Sequence, residues 1–164
     1  MKNIFFLILL TSTISAFGQK YTLPNEEVIF SFDTKNGKKV TLNKDKNNKY
    51  IIYRFGTESK IEFEYPDKLI NSWKCFKYSF YLRGGGLQNE GMDLNYICFT
   101  NKNYKYVIYD SYFADGNKHK IGIKIIDITT DKTTDIRGNN KTRKGNMIDF
   151  RDNNLLEIGD ELFD

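Results

Sequence analysis

Histidine, cysteine and proline are scarce in this chain, and their scarcity removes whole classes of chemistry. One histidine, His119, and two cysteines, Cys75 and Cys98, supply no usual zinc ligand set. His119 lies between Lys118 and Lys120 beside a turn signal, where it points to solvent, and no Gly-x-Ser-x-Gly elbow accompanies it. The triplet Gly84-Gly85-Gly86 is followed by neither Gly-Lys-Ser/Thr nor a helical pattern, so it is not a phosphate loop. Asn43-x-Asp45-x-Asn47 has the spacing of the start of a calcium loop but lacks its glycine and closing glutamate. No metal and no cofactor is therefore expected.

Long apolar runs are missing too. The longest, Ile4–Leu10, breaks at Thr11-Ser12-Thr13, short of the roughly 18 residues a membrane helix needs. Lys2 before it, and Ala16 and Gly18 after it, give it the form of a signal peptide over residues 1–18, cleaved before Gln19. No cysteine follows that point to carry a lipid. The expected product is an exported protein, periplasmic or secreted, with one domain over residues 19–164. Setting Lys2 aside lowers the 25 basic residues to 24, against 21 acidic ones, a net of +3. So small a bias is not that of a nucleic-acid binder.

What the chain has in quantity is aromatic and β-branched residues, in short runs between turn signals. Aromatics make up 15% of it, while Pro24 and Pro66 are the only prolines. This predicts an all-β fold, a single antiparallel β-meander closing into a small barrel or sandwich of roughly nine or ten short strands. Val28–Asp33 alternates and turns at Lys35-Asn36-Gly37. A three-residue loop with Gly37 left-handed pairs Phe32 with Val40 and Phe30 with Leu42, keeping apolar opposite apolar. In the next hairpin, pairing Tyr53 with Phe63 and Ile51 with Tyr65 predicts Arg54 opposite Glu62. The Asp115-Gly116 turn sets Ile108 opposite Ile123 and Tyr106 opposite Ile125, with the Tyr109 ring over Gly122. The run Thr133–Arg137 reads as a strand, Lys141–Lys144 as a solvated basic turn, and Met147–Phe150 as one more short strand. The segment after Arg151 is ambiguous between strand and helix.

The stretch Trp73–Thr100 organises the middle of the chain. Two apolar runs flank a polar, glycine-rich segment, Arg83–Met92, longer than the two to five residues that commonly close a hairpin. The excess length makes it the candidate binding loop. Arg83 offers a guanidinium fork, Gln88 and Asn89 offer amides, and Gly84, Gly85 and Gly86 allow close backbone approach. A hairpin centred between Gly86 and Leu87 places Cys75 directly opposite Cys98. In an exported protein that predicts a disulfide, with loop-closure stabilisation of about 3 kcal/mol.

The functional expectation is an exported, non-catalytic binding protein, in its most concrete form an inhibitor of a secreted or periplasmic enzyme. Its partner would be a protein or glycan of the envelope or extracellular space, with no nucleic acid involved. Two alternatives stand beside it. One is a small envelope hydrolase using a carboxylate pair drawn from Glu90, Asp93 and Asp110; the other is a structural protein of the envelope surface.

Overall fold

The computed structural model describes residues 20–163; the expected signal peptide over residues 1–18 lies outside the described residues. Their fold is all-β, with strands β1 (Glu26–Asp33), β2 (Lys39–Asp45), β3 (Ile51–Thr57), β4 (Lys60–Tyr65), β5 (Lys77–Arg83), β6 (Met92–Asn101), β7 (Tyr104–Phe113), β8 (Lys118–Asp127), β9 (Thr133–Arg137), β10 (Lys144–Gly145) and β11 (Glu157–Gly159). No α-helix occurs among the described residues, only short 3₁₀ turns. An antiparallel sheet runs β10-β1-β2-β3-β4, and a mixed sheet runs β11-β5-β6-β7-β8-β9. Neither closes on itself, so the architecture is an open sandwich rather than a barrel. The isolated Thr34–Gly138 bridge joins the two sheets at one corner. The fold also departs from a pure antiparallel meander, because β11 pairs parallel to β5.

Two hairpins follow the turn chemistry. Phe30 pairs with Leu42 and Phe32 with Val40, around Gly37 at φ 74°. Ile108 faces Ile123, Tyr106 faces Ile125 and Tyr109 faces Gly122. A Cβ on Gly122 would lie 2.4 Å from the Tyr109 Oη, which shows how closely the ring covers the glycine.

The β3–β4 hairpin is displaced by two residues from its sequence reading. Tyr53 pairs with Tyr65 and Phe55 with Phe63, and Arg54 stands opposite Glu64 rather than Glu62. Half of the shift comes from the turn closing at Thr57–Lys60 and half from a bulge at Gly56, whose missing Cβ would fall 2.2 Å from the Lys60 carbonyl oxygen. Glu62 pairs instead with Lys38 at 2.6 Å.

Apolar faces of both sheets meet in one core. Phe30, Phe32, Leu42, Ile51 and Tyr53 from the first sheet face Phe76, Tyr78, Ile97, Ile108 and Ile123 from the second. Between them runs an aromatic stack, with Phe99 lying 4.2 Å from Tyr65 and 4.9 Å from Tyr106, centroid to centroid. A second cluster, Leu94, Tyr96, Cys98, Val107 and Tyr109, lies on the far side of the six-stranded sheet, where Phe163 packs over it. On the outer side of the first sheet the lead-in Tyr21–Asn25 covers a buried ion pair. Both Arg54 terminal nitrogens donate to Glu26, at 2.6 and 2.9 Å, while its Nε donates to Glu64.

The cysteines are free thiols, which corrects the disulfide expectation. The β5–β6 register is also two residues off its sequence reading, so Lys77, not Cys75, stands opposite Cys98. Cys75 ends a 3₁₀ turn, Ser72–Cys75, before the strand begins. It packs against the inter-sheet core, whereas Cys98 belongs to the cluster on the opposite face.

The expected strand at Met147–Phe150 is not one. Met147 precedes a 3₁₀ turn, Ile148–Arg151, that drops Phe150 into the core.

Candidate functional site

The glycine-rich segment is an exposed, internally bonded loop at the β5–β6 end of the sandwich. Residues 84–90 are all exposed, and Gly86–Asn89 makes one 3₁₀ turn. Gly85 and Gly86 adopt φ of 92° and 57°, values that strongly favour glycine, so backbone shape accounts for both of them. Gly84 has φ outside the left-handed region, and a Cβ there would meet nothing within 4 Å.

The polar residues turn inward upon the loop. Arg83 Nε and Nη2 donate to the Glu90 carbonyl oxygen at 3.0 and 2.8 Å, and Nη2 also lies 3.4 Å from the Glu90 carboxylate. The Asn89 amide donates to the Gly84 carbonyl at 2.9 Å. The Gly91 N–H closes on the Gly86 carbonyl at 2.7 Å, and the Ala114 N–H ties the Gly91 carbonyl to the neighbouring β7–β8 turn. Arg83 and Asn89 therefore brace the loop before any partner arrives. Gln88 stays exposed.

Sequence reasoning missed the apolar side chains of this end. Leu82 and Leu87 are 58% and 70% exposed, and Tyr81 is 39% exposed. A signal was there to be read: a leucine inside a glycine-rich polar loop has no core to enter. Attention went to the arginine and the amides instead.

Two of the three candidate carboxylates, Asp93 and Asp110, line one cavity, and Glu90 stands apart. Glu90 is on the loop with its side chain 81% exposed. Asp93 and Asp110 share the inward face of β6 and β7, in diagonal register across the pairs Asp93–Tyr112 and Asn95–Asp110. There the core gives way to a polar end, a cavity of about 420 Å³ that also touches Tyr112, His119 and Arg143. Each aspartate is already engaged. Both Asp110 oxygens accept from Arg143, the shortest bond being 2.6 Å. Asp93 accepts from Arg151 and from the Asn95 amide. Arg151 further donates to Asn95 Oδ1 at 2.8 Å and lies over the Phe80 ring.

This arrangement is a lock. Arg143 and Arg151, carried by the segment that crosses between the sheets, fasten it to the floor formed by β6 and β7. Guanidinium N–H groups occupy both Asp110 oxygens and Oδ1 of Asp93.

The remaining sequence candidates have structural places. Arg143 of the basic turn is the Asp110 partner, and Lys144 belongs to β10. Asp45 accepts from Asn25 and from the Asn47 N–H, as a turn residue does. His119 is exposed, its ring 4.7 Å from that of Tyr112. Among the described residues no group of three or more His, Cys, Asp or Glu is placed to hold a metal ion, and no helix is long and apolar enough to cross a membrane. No family model, curated protein or solved structure matches the chain.

Proposed function

We propose that this is an exported, non-catalytic binding protein that recognises a protein partner with the loop between β5 and β6. The observation that carries the reading is the pair of exposed leucines, Leu82 and Leu87, on and beside a loop already held in shape by Arg83 and Asn89. Apolar side chains on a braced loop bury area on contact while losing little chain entropy, which is how rigid inhibitor loops gain affinity. Inhibition of a secreted or periplasmic enzyme is the most specific form of this proposal. Export rests on the signal-like segment at residues 1–18. The hydrolase alternative has less support, since the arginine contacts leave Asp93 and Asp110 without an open carboxylate pair.

The test is capture from envelope and extracellular fractions with three baits: the parent protein, Leu87→Asp, and a remote control, Lys46→Gln. A partner held by the parent and the control but released by Leu87→Asp supports the loop. Equal capture by all three baits refutes it.

A further inference from the structure

A second site lies on the outer face of the six-stranded sheet, on the opposite side from the arginine lock. On β7 the residues Tyr109, Ser111 and Phe113 alternate outward. On β8 Lys120, Gly122 and Lys124 do the same, and on β9 Asp135 and Arg137. Gly122 on this face is covered by the Tyr109 ring. Beside that ring lies a cavity of about 430 Å³, lined also by Lys35 and Asn140. That is within the range of small-molecule pockets.

Charge in the cavity is one-sided. Lys35, Lys120, Lys124 and Arg137 line it against a single carboxylate, Asp135. Asp135 is taken by Arg137 at 3.2 Å and by the Tyr109 hydroxyl at 2.9 Å. Lys35, Lys120 and Lys124 have no ion-pair partner among the described residues. Two of them are held over rings, Lys120 4.6 Å from the Phe113 centroid and Lys124 5.8 Å from that of Tyr109. An ammonium over a ring keeps N–H donors for a ligand.

The independent sign of a ligand is Ser111. Its side chain lines the cavity, the residue is 1% exposed, and its Oγ has no hydrogen-bond partner among the described residues. Buried hydroxyls are nearly always paired, and one left unpaired beneath a cluster of cations is a donor awaiting an acceptor.

We infer that this pocket binds a small organic anion: one sulfate, phosphate or carboxylate group on a body no larger than a monosaccharide. The anionic group sits on Ser111 Oγ beside Lys120, its cross-strand neighbour, and the body lies toward Lys35 and Asn140. This inference is independent of the loop reading.

The experiment titrates the protein with glucose 6-sulfate, glucose 6-phosphate, galacturonate, glucose and inorganic sulfate, by calorimetry and by amide chemical shifts. At least one anionic sugar is expected to bind, weakening severalfold between 50 and 300 mM salt, with shifts centred on residues 109–113, 120–124 and 135–138. Glucose is expected to show no binding. Ser111→Ala should lower affinity at least fivefold with an unchanged or raised melting temperature. Lys35→Gln, in an exposed turn that cannot unfold the sheet, should lower it as well.

Binding of glucose as tightly as of the anions overturns the inference, as does unaltered affinity in both Ser111→Ala and Lys35→Gln. Silence with all three anionic sugars also overturns it. Inorganic sulfate binding as tightly as glucose 6-sulfate would mean an adventitious ion only, with the same consequence.

Discussion

Replacing Arg54 with methionine isolates the largest electrostatic commitment in the first sheet. Glu26 has a fully buried side chain, and the Arg54 side chain is 4% exposed. Two guanidinium bonds, the Leu23 N–H and the Tyr50 hydroxyl satisfy the carboxylate. Burial alone would raise the Glu26 carboxyl, but the bonds from Arg54, Leu23 and Tyr50 outweigh it and hold it below the ordinary glutamate range. A carboxyl lowered on folding adds stability that is complete above its unfolded value, near pH 4.3, and is lost as pH falls through the lower folded value.

Methionine preserves much of the arginine stem's packing and removes the charge. The Tyr21 carbonyl keeps its bond from Asn43, and Glu64 is 46% exposed, so the damage concentrates on Glu26. Leaving one member of a buried pair alone costs about 3–5 kcal/mol at pH 7. With a urea m-value of about 2 kcal/mol/M, the midpoint should fall by about 2 M. At pH 4 the gap to the parent should narrow, because the uncompensated carboxyl, now raised by burial, takes up a proton and ceases to be a buried charge. Urea melts at the two pH values, followed by the fluorescence of Trp73, read both quantities. An offset equal at pH 7 and pH 4, or one below about 0.5 M, would refute the reasoning.

Gly122→Ala should destabilise by about 1–3 kcal/mol, since the new methyl meets both the Tyr109 Oη and the Ile136 carbonyl oxygen. Chemical denaturation measures this; a neutral result would mean the Tyr109 ring gives way freely. Alkylation in denaturant without reductant should label both cysteines, whereas native Cys98 should react slowly, being buried and having its thiol pushed up by that burial. A loss of two mass units on oxidation with no change in fold would contradict this. Arg83→Ala should lower overall stability by no more than about 1 kcal/mol while raising amide exchange across residues 84–91, because its bonds to Glu90 brace the loop. Unchanged exchange there would show that the glycine turn holds its shape alone.

The all-β class and two hairpin registers were legible because apolar alternation and a turn residue agreed in each. At Gly37 and at Asp115-Gly116, shifting by one residue would have turned core side chains outward. Both hairpins misread, β3–β4 and β5–β6, are wrong by two residues. A two-residue slip leaves every side chain on its proper face, so alternation is blind to it, and only the turn decides. In one case the turn carries a bulge at Gly56; in the other it contains a 3₁₀ turn whose length the sequence does not announce. The cysteine pairing failed with that register. At the candidate loop, sequence reasoning found the right segment but gave Arg83 to a partner when it serves the loop. Arg143 and Arg151 were invisible as partners of Asp110 and Asp93, since no periodicity links residues that far apart in the chain.

The segment after β9 runs from one sheet to the other and back. It lays β10 along the open edge of β1, inserts Met147 and Phe150 into the core, and ends with β11 along the open edge of β5. During synthesis these residues leave the ribosome after both hairpin systems. Until then both hairpin systems exist with bare edges and an incomplete interior, a state prone to pairing with other chains. That interval ends only when residues 144–159 arrive. A chain cut before residue 144 would never leave it, and should accumulate as aggregate rather than as a smaller folded domain.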